Sequence, residues 1–242
     1  MTNKINNIQM KSSNFNFQKS PINFLLIGMS IFCFALSVAR TLISGKHFYL
    51  YLNWNLFLSF VPWVLSLILV NSKLSRKYGL FRWFMFLLWL VFFPNTVYIL
   101  TDLFHLRWES SFPIWFDFVL ITSFAWTGFL YGFVSLLNIE RFLVNYCSRK
   151  ILNIIIAFLL FLSSFGVYLG RVLRWNSWDI VMQPLPLFVD IKDRISDPFG
   201  HPGTWGMTIL LGILLNMMFW SVKFLMRKDL LLTHKPQMSN EC

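Results

Sequence analysis

Charge is scarce in this chain: Asp, Glu, Lys and Arg together make up 13% of its 242 residues, and only 10 of those are acidic. A soluble domain carries about 25%, so the usual water-facing surface is excluded. Cysteine is scarce too. Its three copies lie in an apolar run (Cys33), a short basic segment (Cys147) and the last position (Cys242), without disulfide or zinc spacing. GxSxG, Walker A, HExxH and dinucleotide-binding patterns are absent. The sequence therefore names no cofactor and assigns no metal.

What is present in excess is apolar. Hydrophobic residues reach 57% and aromatics 19%, with 28 Phe and 11 Trp, more apolar surface than a soluble fold of this length can bury. Six runs are long enough to span a bilayer as helices: about 22–39, 54–70, 83–101, 115–137, 151–170 and 204–222. The expected fold class is all-α, a polytopic helical bundle. Its domain organisation reads as a polar, poorly ordered segment 1–20, a six-helix membrane domain 21–225 and a tail 226–242. The connection 171–203 is the one long loop. Within it Phe188, Ile191 and Ile195 recur opposite Asp190, Asp193 and Asp197, the pattern of a short helix lying on the membrane surface.

The net charge of +11 raises the question of a nucleic-acid partner, but no basic soluble module accompanies it. Topology accounts for it instead. The N-terminal segment, the 71–82 and 138–150 loops, and the tail together with Lys223 hold fourteen of the 21 Lys and Arg. The positive-inside rule then puts both termini in the cytoplasm. The opposite face carries seven basic and seven acidic residues and is neutral. The bilayer is the expected partner and nucleic acid is not.

Small and polar residues mark inward faces. Gly128 and Gly132, and Gly166 and Gly170, have GxxxG spacing, which permits close helix approach and offers faces for a homo-oligomer. Asn55, Ser59, Pro62 and Ser66 form a narrow stripe on the second span. Pro94 should break the third span, freeing a carbonyl that Asn95 or water can meet.

The polar clusters all fall at the outer ends of spans. Asn53 and Asn55 open the second; Asn95, Tyr98, Asp102 and His105 end the third at spacings of 3, 4 and 3, one face of a continuing α-helix. Asp117 opens the fourth. Tyr168, Arg171, Trp175 and Asp179 end the fifth at 3, 4 and 4, again one face if the helix runs on. Four segments meeting at one membrane face imply one site. In it Asp102, His105 and Asp117 are the candidate catalytic residues, read as an acid/base set, a metal-ligand set or a relay. Asn53, Asn55, Asn95, Tyr98, Arg171, Arg174, Trp175, Asn176 and Asp179 are the candidate substrate contacts, the guanidiniums suiting a phosphate or carboxylate. An ion pair of Arg171 with Asp102 or Asp117 is the structural alternative, and Asp117 also suits a helix first turn. His47, His201 and His234 show no partner spacing.

Three stretches together carry a resemblance: Leu52-Asn53-Trp54-Asn55; Phe92-Phe93-Pro94-Asn95 with Tyr98-Ile99-Leu100-Thr101-Asp102-Leu103; and Gly170-Arg171-Val172-Leu173-Arg174-Trp175-Asn176-Ser177-Trp178-Asp179. Over roughly residues 50–220 the chain resembles the membrane family catalogued as domain of unknown function 1361. The resemblance implies a bacterial multi-pass protein of the inner membrane and brings no activity, cofactor or catalytic residue. The functional expectation is a membrane enzyme acting at the outer leaflet on an anionic or lipid-linked substrate. The alternatives are a transport or solute-binding protein and a non-enzymatic assembly subunit.

Overall fold

The computed structural model describes residues 21–105 and 113–233, with the side chains of Pro21, Arg76, Phe104, His105 and 227–233 outside the description. The segment 1–20, most of the tail and the residues 106–112 between the third and fourth spans also lie outside the described residues. In chain order the helices are α1 (Pro21–Ser44), α2 (Tyr51–Asn71), α3 (Lys73–Lys77), α4 (Gly79–Phe92), α5 (Pro94–Tyr98), α6 (Ile114–Leu143), α7 (Arg149–Arg171), α8 (Asp179–Met182), α9 (Pro184–Ser196) and α10 (Pro202–Thr233). A 3-10 turn, Phe48–Leu50, precedes α2, and a 3-10 stretch, Ile99–His105, follows α5. No strand occurs among the described residues, and the protein is an all-α polytopic membrane bundle.

Six helical stretches are long and apolar enough to span a membrane: Ile22–Ser44, Phe48–Asn71, Gly79–Leu103, Ile114–Leu143, Arg149–Arg171 and Pro202–Met226. They extend the expected spans by several residues at their ends, because polar and aromatic terminal turns continue the helices beyond the apolar windows. Helix α6 is the hub. Of its most apolar stretch 72% is buried in the protein, against 22% for α1 and 17% for α10, so the last two present most of their surface to lipid. Helices α1, α2 and α6 pack together around Leu52, Leu56, Ile121 and Phe124. Helices α4, α6, α7 and α10 pack around Trp89, Phe133, Ile156 and Phe219.

The third span is broken as Pro94 dictates. Helix α4 stops at Phe92, and Asn95 Nδ2 reaches back to the carbonyl of Phe92 at 2.9 Å while Ser177 Oγ donates to that of Val91 at 3.3 Å. Carbonyls that a proline kink would strand in hydrocarbon are thereby met by side chains. Beyond the break the short helix α5 leads, from Ile99 on, into the 3-10 stretch. The expected continuous α-helical face is replaced by a tighter coil, which brings Tyr98, Asp102 and Asn95 toward α7 and its outer loop.

Both GxxxG pairs serve this broken segment. A Cβ at Gly128 would lie 2.5 Å from Ile99 Cγ2, and one at Gly166 would lie 2.7 Å from Pro94 Cγ. Gly132 abuts Thr96 and Gly170 abuts the Tyr98 ring. Residues 94–99 thus lie between the glycine faces of α6 and α7. Within the chain these faces close on the broken segment.

Candidate functional site

The end of the bundle expected to face outward, and called the outer end for that reason, contains a buried polar network built by three spans. Asp102, with no solvent exposure, lies on the 3-10 stretch. One carboxylate oxygen accepts from Asn55 Nδ2 of α2 at 2.8 Å and the other from Arg171 Nη1 of α7 at 3.2 Å. Arg171 also donates to the Tyr98 hydroxyl at 3.2 Å and to the carbonyl of Thr101, and its guanidinium lies 5.2 Å from the centre of the Tyr98 ring. A carboxylate in the bilayer needs such a partner set. The network is saturated in a way that matters: a 3-10 turn leaves carbonyls imperfectly paired, and Arg171 takes one of them.

Asn95 continues the network toward the break. Besides bonding Phe92 it donates to Ser177 Oγ at 2.9 Å, and its own carbonyl accepts from Ser59 Oγ of α2 at 3.0 Å. The stripe Asn55, Ser59, Pro62 and Ser66 therefore does face the bundle. Ser66 Oγ accepts from Asn138 of α6 at 3.0 Å.

The fifth-span motif is folded differently from expectation. Helix α7 ends at Arg171, and residues 172–178 form a loop, so Tyr168, Arg171, Trp175 and Asp179 do not share a helical face. The loop is pinned at several points. Trp175 donates its backbone N–H to Leu169 O at 3.0 Å and its indole N–H to Asp190 of α9 at 2.8 Å. Asp179 accepts from the backbone of Asn176 at 2.6 Å. Ser177 enters the break in the third span. At the turn stands Arg174 with φ 64°, in the left-handed region that favours glycine; its side chain is exposed, and among the described residues no hydrogen bond or ion pair to it is seen.

Two candidates are held by α1. Asp117, also fully buried, pairs with Arg40 of α1, Nε to Oδ1 at 2.5 Å and Nη2 to Oδ2 at 3.2 Å, and the Arg40 guanidinium lies 5.6 Å from the Tyr49 ring centre. Asn53 bonds Ser37 of α1 at 2.9 Å. The two candidate carboxylates thus sit in two ion pairs, Asp102 with Arg171 and Asp117 with Arg40. Sequence reasoning missed Arg40. Its signal was the neutrality of the outer face, where each buried acid requires a buried base. His105 closes the 3-10 stretch, but its side chain lies outside the described residues, as do those of Arg107 and Glu109.

The surface helix is present as α9, with one change of face. Phe188, Val189 and Ile195 are exposed, whereas Asp190 turns inward to Trp175 and to Arg194, 3.5 Å away. His201, expected to be unpartnered, has Nε2 at 2.9 Å from Asp193. His47 lies in the α1–α2 connection, and His234 lies outside the described residues.

No group of His, Cys, Asp and Glu among the described residues could hold a metal ion. Beside the break, a void lined by Phe93, Thr96, Gly132 and Phe219 measures about 10 Å³, room for about one water. The network braces a broken span.

A family model described as a protein of unknown function, DUF1361, matches residues 54–218. No curated protein and no solved structure matches the chain.

Proposed function

We propose that this chain, which belongs to the DUF1361 family and is a multi-pass membrane protein, binds an anionic, lipid-linked group at its extracytoplasmic face through Arg174. The reading favours binding over catalysis. Asp102 and Asp117 are both buried and engaged by arginines, so neither is presented to a substrate, and Arg171 is spent on Asp102, Tyr98 and Thr101. Arg174 is the cation of the motif that points outward.

The observation that carries the proposal is its backbone. A left-handed conformation costs a residue with a Cβ about 1–2 kcal/mol and costs glycine almost nothing. Holding an arginine there is a local expense whose return is an exposed guanidinium on a loop fixed to the membrane-embedded break. Around it Trp178, Val181, Met182 and Phe188 expose apolar surface, which suits the acyl region of the outer leaflet. A guanidinium at headgroup level then grips phosphate with two parallel N–H bonds.

Arg174→Gly separates the fold from the function. The variant should be as stable as the parent or up to about 1 kcal/mol more stable. Native mass spectrometry from maltoside with added phosphatidylglycerol should nevertheless show one bound lipid fewer. Unchanged lipid occupancy in a folded Arg174→Gly protein would overturn the proposal.

A further inference from the structure

At the opposite end of the bundle the charge is arranged differently. Between the end of α2, α3, the start of α4 and the end of α6 lies a cleft of about 180 Å³ lined by Leu69, Ser75, Arg82, Arg141, Asn145 and Tyr146, among others. Two guanidiniums, an amide and a phenol face one space. The walls are fixed: Ser75 Oγ donates to Leu69 O at 2.8 Å, and Arg82 lies 5.5 Å from the centre of the Tyr146 ring, which itself packs against Trp83 and Phe142. Arg82 Nε is buried, with no hydrogen-bond partner among the described residues.

The described carboxylate at this end, Glu140, lies next to Arg141 in the chain and is bound by other cations. Glu140 receives Lys223 Nζ at 2.7 Å and lies 3.8 Å from Arg149 Nη1. The same end carries Lys73, Lys77, Arg149 and Lys150, all exposed. A buried donor left without an acceptor costs free energy unless a ligand supplies one. The geometry holds a planar N–H donor at the wall of a cleft large enough for a tetrahedral anion.

We infer that the cleft between Arg82 and Arg141 is a phosphate-binding site, independent of the Arg174 surface at the other end. A phosphate there accepts from Arg82 Nε and from the Arg141 guanidinium, with Asn145 and Tyr146 as further donors. Tyr146 stacked against Arg82 limits the guanidinium's freedom, so little order is lost on binding. The phosphate comes either from a lipid headgroup of the adjacent leaflet or from a soluble phosphate compound. On the positive-inside orientation that leaflet is the cytoplasmic one.

The experiment uses the full chain in maltoside, which carries no phosphate, and follows its thermal unfolding. Phosphatidic acid and inorganic phosphate are titrated separately. Stabilisation by phosphatidic acid alone identifies a lipid headgroup site, and stabilisation by both identifies a site for the phosphate group itself. Removing one charge-assisted donor weakens binding roughly tenfold or more, so Arg141→Gln, an exposed position, and Arg82→Lys, which keeps the charge but loses Nε, should each move the titration midpoint by that factor. Absence of any shift with the parent protein overturns the inference. So does a shift that persists unchanged in both folded variants. Arg174→Gly should leave this titration as it is, which keeps the two sites distinguishable.

Discussion

The two ends of the bundle treat arginine in opposite ways. At the outer end the guanidiniums of Arg171 and Arg40 are matched to the buried carboxylates of Asp102 and Asp117, and the void described beside the break measures about 10 Å³. At the other end Arg82 and Arg141 line an open cleft of about 180 Å³, while the available carboxylate, Glu140, is held by Lys223. Paired and buried, arginines join a broken span to its neighbours. At the opening, Arg82 Nε is buried with no acceptor among the described residues.

The largest expected effect lies in the outer end. Breaking a buried ion pair by removing one partner costs about 3–5 kcal/mol, because the other charge is stranded. Asp102→Ala and Arg171→Ala should therefore each deplete the protein from the membrane and lower its unfolding temperature. Removal of both side chains should cost less than the sum of the two. Additive losses would show that the pair does not act as a unit.

Next in size are the glycine faces. Gly132→Val and Gly166→Val would drive side-chain atoms into Thr96 and Pro94, and overpacking of this kind costs about 1–3 kcal/mol. Gly28→Ala and Gly206→Ala, where nothing lies within 4 Å of an added Cβ, are the controls. If the glycine faces instead served an oligomer, the valine variants would change the particle mass in cross-linking or light scattering before they changed the unfolding temperature.

The smallest effect belongs to the other end. Lys223 is 27% exposed in its pair with Glu140, and partly exposed ion pairs contribute about 0–1 kcal/mol. Lys223→Ala should therefore change the unfolding temperature little. A loss as large as that of Arg171→Ala would erase the contrast between the two ends.

Much of the architecture was legible because the bilayer imposes a length and a composition on any span. Six apolar runs, the break at Pro94 and the inward stripe Asn55, Ser59, Pro62 and Ser66 follow from sequence, since each expresses a local rule: span length, a missing N–H, and a period of 3.6. The chemistry of the outer end was legible as a list of residues and not as an arrangement. Asp102 requires a base, and the sequence offers Arg171 and Arg174 equally at that level. The end of α7 at Arg171 decides between them.

By itself, the sequence determined that the protein is a helical membrane bundle with a neutral end, a basic end and a third span interrupted at Pro94. Only the tertiary structure decided that residues 94–99 of the interrupted segment pack between Gly128, Gly132, Gly166 and Gly170 before the chain tightens into a 3-10 helix, that Asp117 belongs to Arg40, and that Arg174 stands outward in a left-handed turn. The physical reason is the reach of the interactions. Hydropathy, proline and charge bias act within a few residues of the chain. The choice of partner for a buried charge is made between helices that are up to 83 residues apart in sequence, where packing and the energetic cost of an unpaired ion in hydrocarbon select one pairing from several that the sequence allows.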